Sequence, residues 1–198
     1  MRTFLFDIGN VLVRFDFSLA MQRFAQLSEV TPEQLPAILE RFKGRYESGQ
    51  MSDDEFISAI SAQTGFRGSR EEFATIWSDI FTENEPMVAL VEQLASQHPL
   101  YLFSNTNGLH KDWLFRKFDV FRHFTGGIYS HEAQCMKPHE DMYRVAIQTF
   151  HLDPVSTLYI DDLADNIATG QRLGFACHQY HPDAHQALAT HLAEWLAT

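Results

Sequence analysis

Cysteine is scarce in this chain. Two in 198 residues, Cys135 and Cys177, are too few for a disulfide framework, and nothing in them asks for an oxidising compartment. Long apolar runs are missing too, so no stretch reaches membrane-spanning length. Basic residues are outnumbered, 15 Lys and Arg against 26 Asp and Glu, for a formal charge of −11. A nucleic acid or an anionic membrane surface would be repelled by that balance. The opening Met-Arg-Thr-Phe-Leu-Phe-Asp runs straight into a strand pattern rather than a signal-peptide pattern, so the expected location is cytoplasmic. An acidic chain that handles an anionic substrate must supply positive charge locally, from a metal, a lysine or helix N-termini.

What is present is ordinary for a globular protein: 45% hydrophobic and 21% charged residues, in a chain long enough to bury a sizeable core. Residues 3–6 form a short apolar run that ends at Asp7, and Gly9 and Asn10 then break the pattern. This reads as a buried strand with a carboxylate at its carboxyl end, which is costly to leave unpaired. From residue 16 to 82 the pattern is helical, with no convincing strand. Three capping boxes are expected there, Thr31 with Gln34, Ser52 with Glu55 and Ser69 with Glu72, each a hydroxyl followed three residues later by Glu or Gln. Beyond residue 83 helix and strand alternate: helix 86–97, strand 100–104, helix 109–118, strand 127–130, helix 138–150 with Pro138 in its first turn, strand 157–160, helix 164–173 stopped by Gly174, strand 175–180 and a closing helix 183–197. Such alternation predicts an α/β fold with a doubly wound, Rossmann-like parallel sheet. The expected core is 1–15 with 83–198, and the expected helical insert after the first strand is 16–82.

Three strands thus end in polar residues, at Asp7, at Ser104-Asn105 and at Asp161-Asp162, and Lys137 stands before a helix start. The carboxyl ends of parallel strands share one edge, so these groups can converge. Several carboxylates there repel one another unless a cation joins them, and hard oxygen ligands with room for water suit Mg²⁺. Lys137 adds a second positive centre, and Ser104 with nearby amides can bind phosphate oxygens. This is equipment for phosphoryl transfer.

The four motifs, in this order and across the whole chain, resemble the haloacid dehalogenase (HAD) superfamily, with an insert where that superfamily carries a helical cap. Phe-Asp-Ile-Gly-Asn-Val-Leu, Ser-Asn-Thr-Asn-Gly-Leu-His, Met-Lys-Pro and Asp-Asp-Leu-Ala-Asp-Asn-Ile are most similar to bacterial α-D-glucose-1-phosphate phosphatases. They are also similar to the phosphatase domain of soluble epoxide hydrolases. The resemblance implies that Asp7 is a nucleophile forming an aspartyl-phosphate and, with the Gly9 carbonyl and Asp162, a Mg²⁺ ligand. It implies that Asp161 and Asn166 support the metal's waters, that Ser104 and Asn105 hold the phosphoryl group, and that Lys137 neutralises nucleophile and phosphate together. The implied substrate is a small phosphorylated metabolite such as α-D-glucose 1-phosphate.

One position departs from the pattern. Most phosphatases of the superfamily have a second Asp two residues after the nucleophile, as acid and base, where this chain has Gly9. An anomeric oxygen needs less protonation than an ordinary alcohol, which favours sugar 1-phosphates. His110, or Glu47 in the insert, is the expected replacement acid. A 2-haloacid dehalogenase, which also uses an Asp nucleophile, is the competing enzyme, and Asp161-Asp162 speaks against it. A phosphate-binding or regulatory module without turnover is the non-enzymatic alternative. The sequence leaves the oligomeric state open. His131/Cys135/His139 and His178/His181/His185 match no standard zinc spacing and are expected at the surface.

Overall fold

In the computed structural model, which describes residues 2–197, the chain begins with β1 (Thr3–Phe6) and β2 (Val13–Phe15). Four helices follow, α1 (Ser18–Gln26), α2 (Leu35–Glu47), α3 (Asp53–Thr64) and α4 (Arg70–Ser78), and β3 (Phe81–Glu83) leads out of them. The remainder alternates: α5 (Glu85–Ala95), β4 (Leu100–Ser104), α6 (Gly108–Lys117), β5 (Gly126–Tyr129), α7 (Ser130–Ala133), α8 (Glu140–Phe150), β6 (Thr157–Asp161), α9 (Ala164–Arg172), β7 (Ala176–Gln179) and α10 (His185–Leu196).

Five strands form one parallel sheet in the order β5-β4-β1-β6-β7, with β1 at its centre. Side chains alternate across a strand, and β1 shows the consequence. Phe4 and Phe6 enter one apolar layer with Leu102, Ile160, Val91 and Leu188. Leu5 enters the other with Phe103, Tyr159, Met142 and Ile167. Both faces are covered, which is why the central strands read as continuous apolar runs. The expected doubly wound α/β sheet is the one observed.

The four inserted helices have their own apolar centre, built from Phe24, Leu35, Tyr46, Phe56, Ile60 and Phe73. Tyr46 stacks on Phe56 with ring centroids 4.0 Å apart. Leu109 of α6 belongs to the same cluster, so the insert is packed onto the sheet domain rather than tethered beside it.

Local expectations differ from the structure in three places. The stretch 16–82 was expected to lack strands, yet β3 starts at Phe81 and pairs antiparallel with β2, Phe15 opposite Phe81. This ribbon forms the neck of the insert, and three-residue strands are too short to show a period of two. Ser52 and Ser69 make complete capping boxes, but Thr31 does not. Gln34 Oε1 accepts from the Thr31 amide at 2.9 Å, while α2 starts later, after Gln34, with no side-chain cap. Pro138 lies ahead of α8 in a turn whose Lys137–Pro138 bond is cis, and the helix begins at Glu140.

Candidate active site

Register brings the chemistry together. Phe6 is level with Leu102 on β4 and Ile160 on β6, so Asp7, Ser104 and Asp161 all emerge at the carboxyl edge of the sheet. A cavity of about 440 Å³ opens there between the sheet edge and the inserted helices. Asp7, Gly9, Ser104, Asn105, His110, Lys137, Asp162 and Asn166 line it from the sheet domain, and Glu40, Lys43 and Glu47 line it from α2. Of the sequence-derived site residues, only Asp161 is outside this lining, directly behind it.

Lys137 is the hinge of the arrangement. Its ammonium donates to Asp7 Oδ1 at 2.9 Å, Asp161 Oδ2 at 2.6 Å and the Phe103 carbonyl at 2.7 Å. Three donors meet three acceptors, so none is left over for a phosphate. Its main chain is clamped as well: Asn105 Nδ2 donates to the Lys137 carbonyl and Asn105 Oδ1 accepts from the Lys137 amide, both at 2.9 Å. The side chains expected to grip phosphate, Asn105 and Lys137, are therefore committed to one another and to the nucleophile. Burial works against the Lys137 charge, but Asp7 and Asp161 hold it above the ordinary lysine range.

Asp7 keeps one oxygen out of this network. Lys137 binds Oδ1, and no hydrogen bond to Oδ2 occurs among the described residues. Burial pushes the Asp7 carboxyl up to about 7, with Lys137 opposing and Asp161 and Asp162 adding to it. Such a group gains from a further cation.

The acidic pair divides into two different groups. Asp161 is fully buried and accepts four hydrogen bonds, from Lys137, Tyr159 Oη at 2.6 Å, the Leu163 amide at 2.9 Å and Asn166 Nδ2 at 2.9 Å. The expected service of Asp161 and Asn166 to metal-bound water is thus not what their contacts describe. They lock each other and Lys137 in place. Asp162 is half-buried and has one partner, Asn10 Nδ2 at 3.0 Å, and burial raises its pKa, with Asn10 opposing. Asn10 sits at φ 54°, a left-handed turn position that Asn tolerates. Asp7, Asp161 and Asp162 each offer an oxygen within 4.8 Å of the others. Because the oxygens of Asp161 are saturated, Asp7 and Asp162 are the members with capacity for an ion.

His110 lines the cavity but is not placed as a free acid. Its Nδ1 is 3.1 Å from Asn107 Nδ2 and its Nε2 is 3.1 Å from the Trp77 carbonyl. The carbonyl can only accept and the amide nitrogen can only donate, so the ring is neutral with its proton on Nε2. It also stacks on Trp77, 5.2 Å between centroids, and burial lowers its pKa to about 4. At Gly9 a Cβ would sit 3.3 Å from Cε1 of Phe15, so an aromatic ring covers the position where a second carboxylate was missed.

Sequence reading overlooked Asn10, Asn107, Phe15 and Ser130. Ser130 Oγ accepts from the Thr106 amide at 2.9 Å and donates to the Glu47 carbonyl at 2.5 Å, joining the insert to the loop after Ser104. A lone serine after a strand carries no signal for that. The histidine groups are not zinc sites: His131 Nδ1 lies 3.0 Å from the Thr106 carbonyl, and His178 faces His191, Nδ1 to Nδ1 2.9 Å. His131 and His178 are half-buried rather than fully at the surface. Among the described residues no helix is long and apolar enough to cross a membrane.

Comparison with known proteins gives a consistent picture. The model of the haloacid dehalogenase-like hydrolases matches residues 1–174. A D-ribitol-5-phosphate phosphatase of Bacteroides thetaiotaomicron is 26% identical over 190 residues, covering 90% of this chain and 91% of that one. A HAD family enzyme of the same organism, in complex with magnesium and inorganic phosphate, superposes with a TM-score of 0.81 at 24% identity, over 90% of this chain and 93% of its own. An L-2-haloacid dehalogenase of Xanthobacter autotrophicus with chloropropionic acid covalently bound shares the fold more distantly, TM-score 0.64 at 14% identity, over 89% and 76% of the two chains.

Proposed function

The chain belongs to the haloacid dehalogenase-like hydrolases, and we propose that within them it is a Mg²⁺-dependent phosphatase of a small phosphorylated sugar or sugar alcohol. The observation that carries this reading is Asp7, with one oxygen fixed by Lys137 and the other uncommitted, at the floor of a cavity of about 440 Å³. That volume suits a metabolite and not a folded phosphoprotein.

The donor set fits Mg²⁺, because it is all hard oxygen and its negative charge exceeds what Lys137 can offset. Asp7, Asp162 and the main-chain carbonyl of Gly9 would hold the ion. When bound, it supplies positive charge that offsets the phosphate and orients an in-line displacement. The Asp7 carboxylate attacks phosphorus, the ester oxygen leaves, and the phosphoryl group is carried as an aspartyl-phosphate that water then hydrolyses. Lys137, through Oδ1, opposes the protonation that burial favours and holds the nucleophile in one rotamer. Ser104, 3% exposed at the end of β4, offers its hydroxyl to the phosphoryl oxygens. Residues 16–82 act as a cap that excludes bulk water.

For the substrate, two considerations pull apart. Gly9 favours an acidic leaving oxygen, as in a hexose 1-phosphate, whereas the relative's named substrate is a primary alcohol ester. Phosphate release from hexose 1- and 6-phosphates, pentitol 5-phosphates and 4-nitrophenyl phosphate, with Mg²⁺ and with chelator, separates them. Mg²⁺-dependent turnover that disappears in Asp7→Asn is the expected result. Turnover that survives Asp7→Asn, or chloroacid hydrolysis without phosphate release, would overturn the phosphatase reading.

A further inference from the structure

Gly9 leaves the chemistry without a proton donor beside the nucleophile, and the cavity narrows the search for another. Lys137 and His110 have every polar hydrogen committed, and Asp7 and Asp162 are taken by the reaction itself. The insert contributes Glu40, Lys43 and Glu47. Glu40 and Lys43 are exposed, whereas Glu47 is half-buried, and among the described residues no hydrogen bond or ion pair engages its carboxylate. A half-buried carboxylate without a partner, facing a cavity, is an expensive arrangement in a fold whose other buried polar groups are largely paired.

Its main chain, by contrast, is firmly seated. Ser130, itself fully buried, donates to the Glu47 carbonyl and accepts from the amide of Thr106, two residues after Ser104. Two residues beyond Glu47, Gly49 has φ +72°, and a Cβ there would lie 2.0 Å from the His131 carbonyl oxygen. The last turn of α2 is therefore pressed against core backbone and tied by a single hydroxyl to the loop that follows Ser104. From that anchor the Glu47 side chain lines the same cavity as Asp7 and Ser104.

We propose that Glu47, carried in by the cap, is the general acid and base that Gly9 cannot be. The proposal rests on the phosphatase reading and adds a catalytic residue to it. In the first step the Asp7–phosphorus bond forms, the bond from phosphorus to the ester oxygen breaks, and the Glu47 carboxyl proton passes to that oxygen, releasing a neutral alcohol. In the second step a water oxygen bonds to phosphorus and its proton returns to Glu47. The Asp7–phosphorus bond breaks with its electron pair back on the carboxylate, and inorganic phosphate leaves.

The surroundings favour a donor near neutral pH. Burial raises the Glu47 carboxyl to about 6, with Lys43 opposing and Glu40 adding, and a dianionic phosphate entering the cavity raises it further. From α3 the nearby charge is Asp53, bound by Tyr46 Oη at 2.7 Å. From α7 it is Glu132, paired with Lys111, and the neutral-leaning His131. Across the cavity stand Asp7, Asp162 and Lys137. A catalytic pKa close to the working pH is what proton transfer asks for. A donor in the cap also brings primary alcohol esters, whose leaving oxygens need the proton most, within reach of the same site.

The test compares parent, Glu47→Gln and Glu47→Asp on unsubstituted alkyl and aryl monophosphates of graded leaving-group acidity, with Mg²⁺ present. Such esters carry no hydroxyls, so loss of a sugar contact does not imitate loss of an acid. Glu47→Gln should lower kcat/KM about 10²–10⁴-fold for the alkyl esters and only a few-fold for 4-nitrophenyl phosphate, and should remove the limb near pH 6 that Glu47→Asp retains. A loss that is uniform along the series, or no loss, overturns the role of Glu47 while leaving a working phosphatase. A parent that releases phosphate from no ester overturns both.

Discussion

The floor and the roof of the cavity are built on opposite terms. On the floor, Lys137 has all three donors paired, Asp161 accepts four hydrogen bonds, Asn105 clamps the Lys137 main chain, and the side chain of Lys137 is 1% exposed. On the roof, Lys43 and Glu40 are open to solvent and Glu47 has an unengaged carboxylate. The floor is organised before any substrate arrives, which is what electrostatic preorganisation requires. The last turn of α2 is seated through main chain, at Glu47 and Gly49, which leaves the Glu40, Lys43 and Glu47 side chains free to meet a substrate. On the proposed function, the nucleophile and its charge balance belong to the rigid half, and proton transfer from Glu47 belongs to the adjustable half.

The largest test of that contrast removes one lysine from each half. Lys137→Met strands Asp7 and Asp161 as buried, unpaired carboxylates, which should destabilise the fold by about 3–5 kcal/mol. It should also lower kcat by about 10²–10³-fold or more, the scale for losing a preorganised cationic donor. Lys43→Met, at an exposed site, should change stability by less than about 0.5 kcal/mol and act on KM. Urea unfolding curves and steady-state kinetics on the two variants measure both. Equal destabilisation by the two would erase the distinction between floor and roof.

Much of the floor could be read from sequence, and little of the roof. Asp7, Ser104 and Asp161-Asp162 each end an apolar run, and strand ends in a parallel sheet share an edge, so their convergence follows from pattern alone. Lys137 has no strand to announce it, and only its place among the four motifs pointed to it. Its three partners and the Asn105 clamp depend on β4 lying between β1 and β5, information no local window contains. The β2–β3 ribbon was missed because its pairing joins residues 13–15 to 81–83. Ser130 and Gly49, which seat the cap, were invisible for the same reason. Asn84 is a further case: 2% exposed, it donates to the Val11 carbonyl at 2.7 Å and contacts Tyr180 Oη at 2.9 Å, a polar tie beneath the neck that a sequence shows only as a residue before a helix.

His110 stands where the two halves meet, and pH is the lever on it. Its pKa falls from 6.5 to about 4 on folding because burial disfavours the charged ring. Between these values the unfolded chain holds a proton that the folded one does not, so stability rises with pH across the window and is lost as pH falls from about 6.5 to 4. The full effect is on the order of 3 kcal/mol at 1.36 kcal/mol per pKa unit. Asp7 titrates in the opposite sense in part of the same range, so the measured quantity is the difference between parent and His110→Gln. That difference should shrink as pH drops from 7 to 4.5 in equilibrium unfolding. A difference independent of pH would mean that the ring titrates normally and is free to act as an acid after all.

The smallest expected effect separates three sequence motifs that look alike within the cap. Ser52 and Ser69 each accept from an amide three residues on, Glu55 at 3.3 Å and Glu72 at 3.1 Å, while the glutamate returns the bond to the serine amide at 2.8 and 2.7 Å. Alanine at either position strands an amide in the first turn and should cost about 1 kcal/mol. At Thr31 the pattern is the same, but only the Gln34 side chain engages, and the helix starts after Gln34. Thr31→Ala removes a hydroxyl that caps nothing, so its effect should stay within about 0.5 kcal/mol. Thermal unfolding of the three variants would rank them, and a Thr31 variant as damaging as the other two would place the start of α2 a turn earlier, moving the residues that α2 presents to the cavity. Catalysis on aryl phosphate should be unchanged in Ser69→Ala, because Ser69 is exposed and is not among the residues that line the cavity.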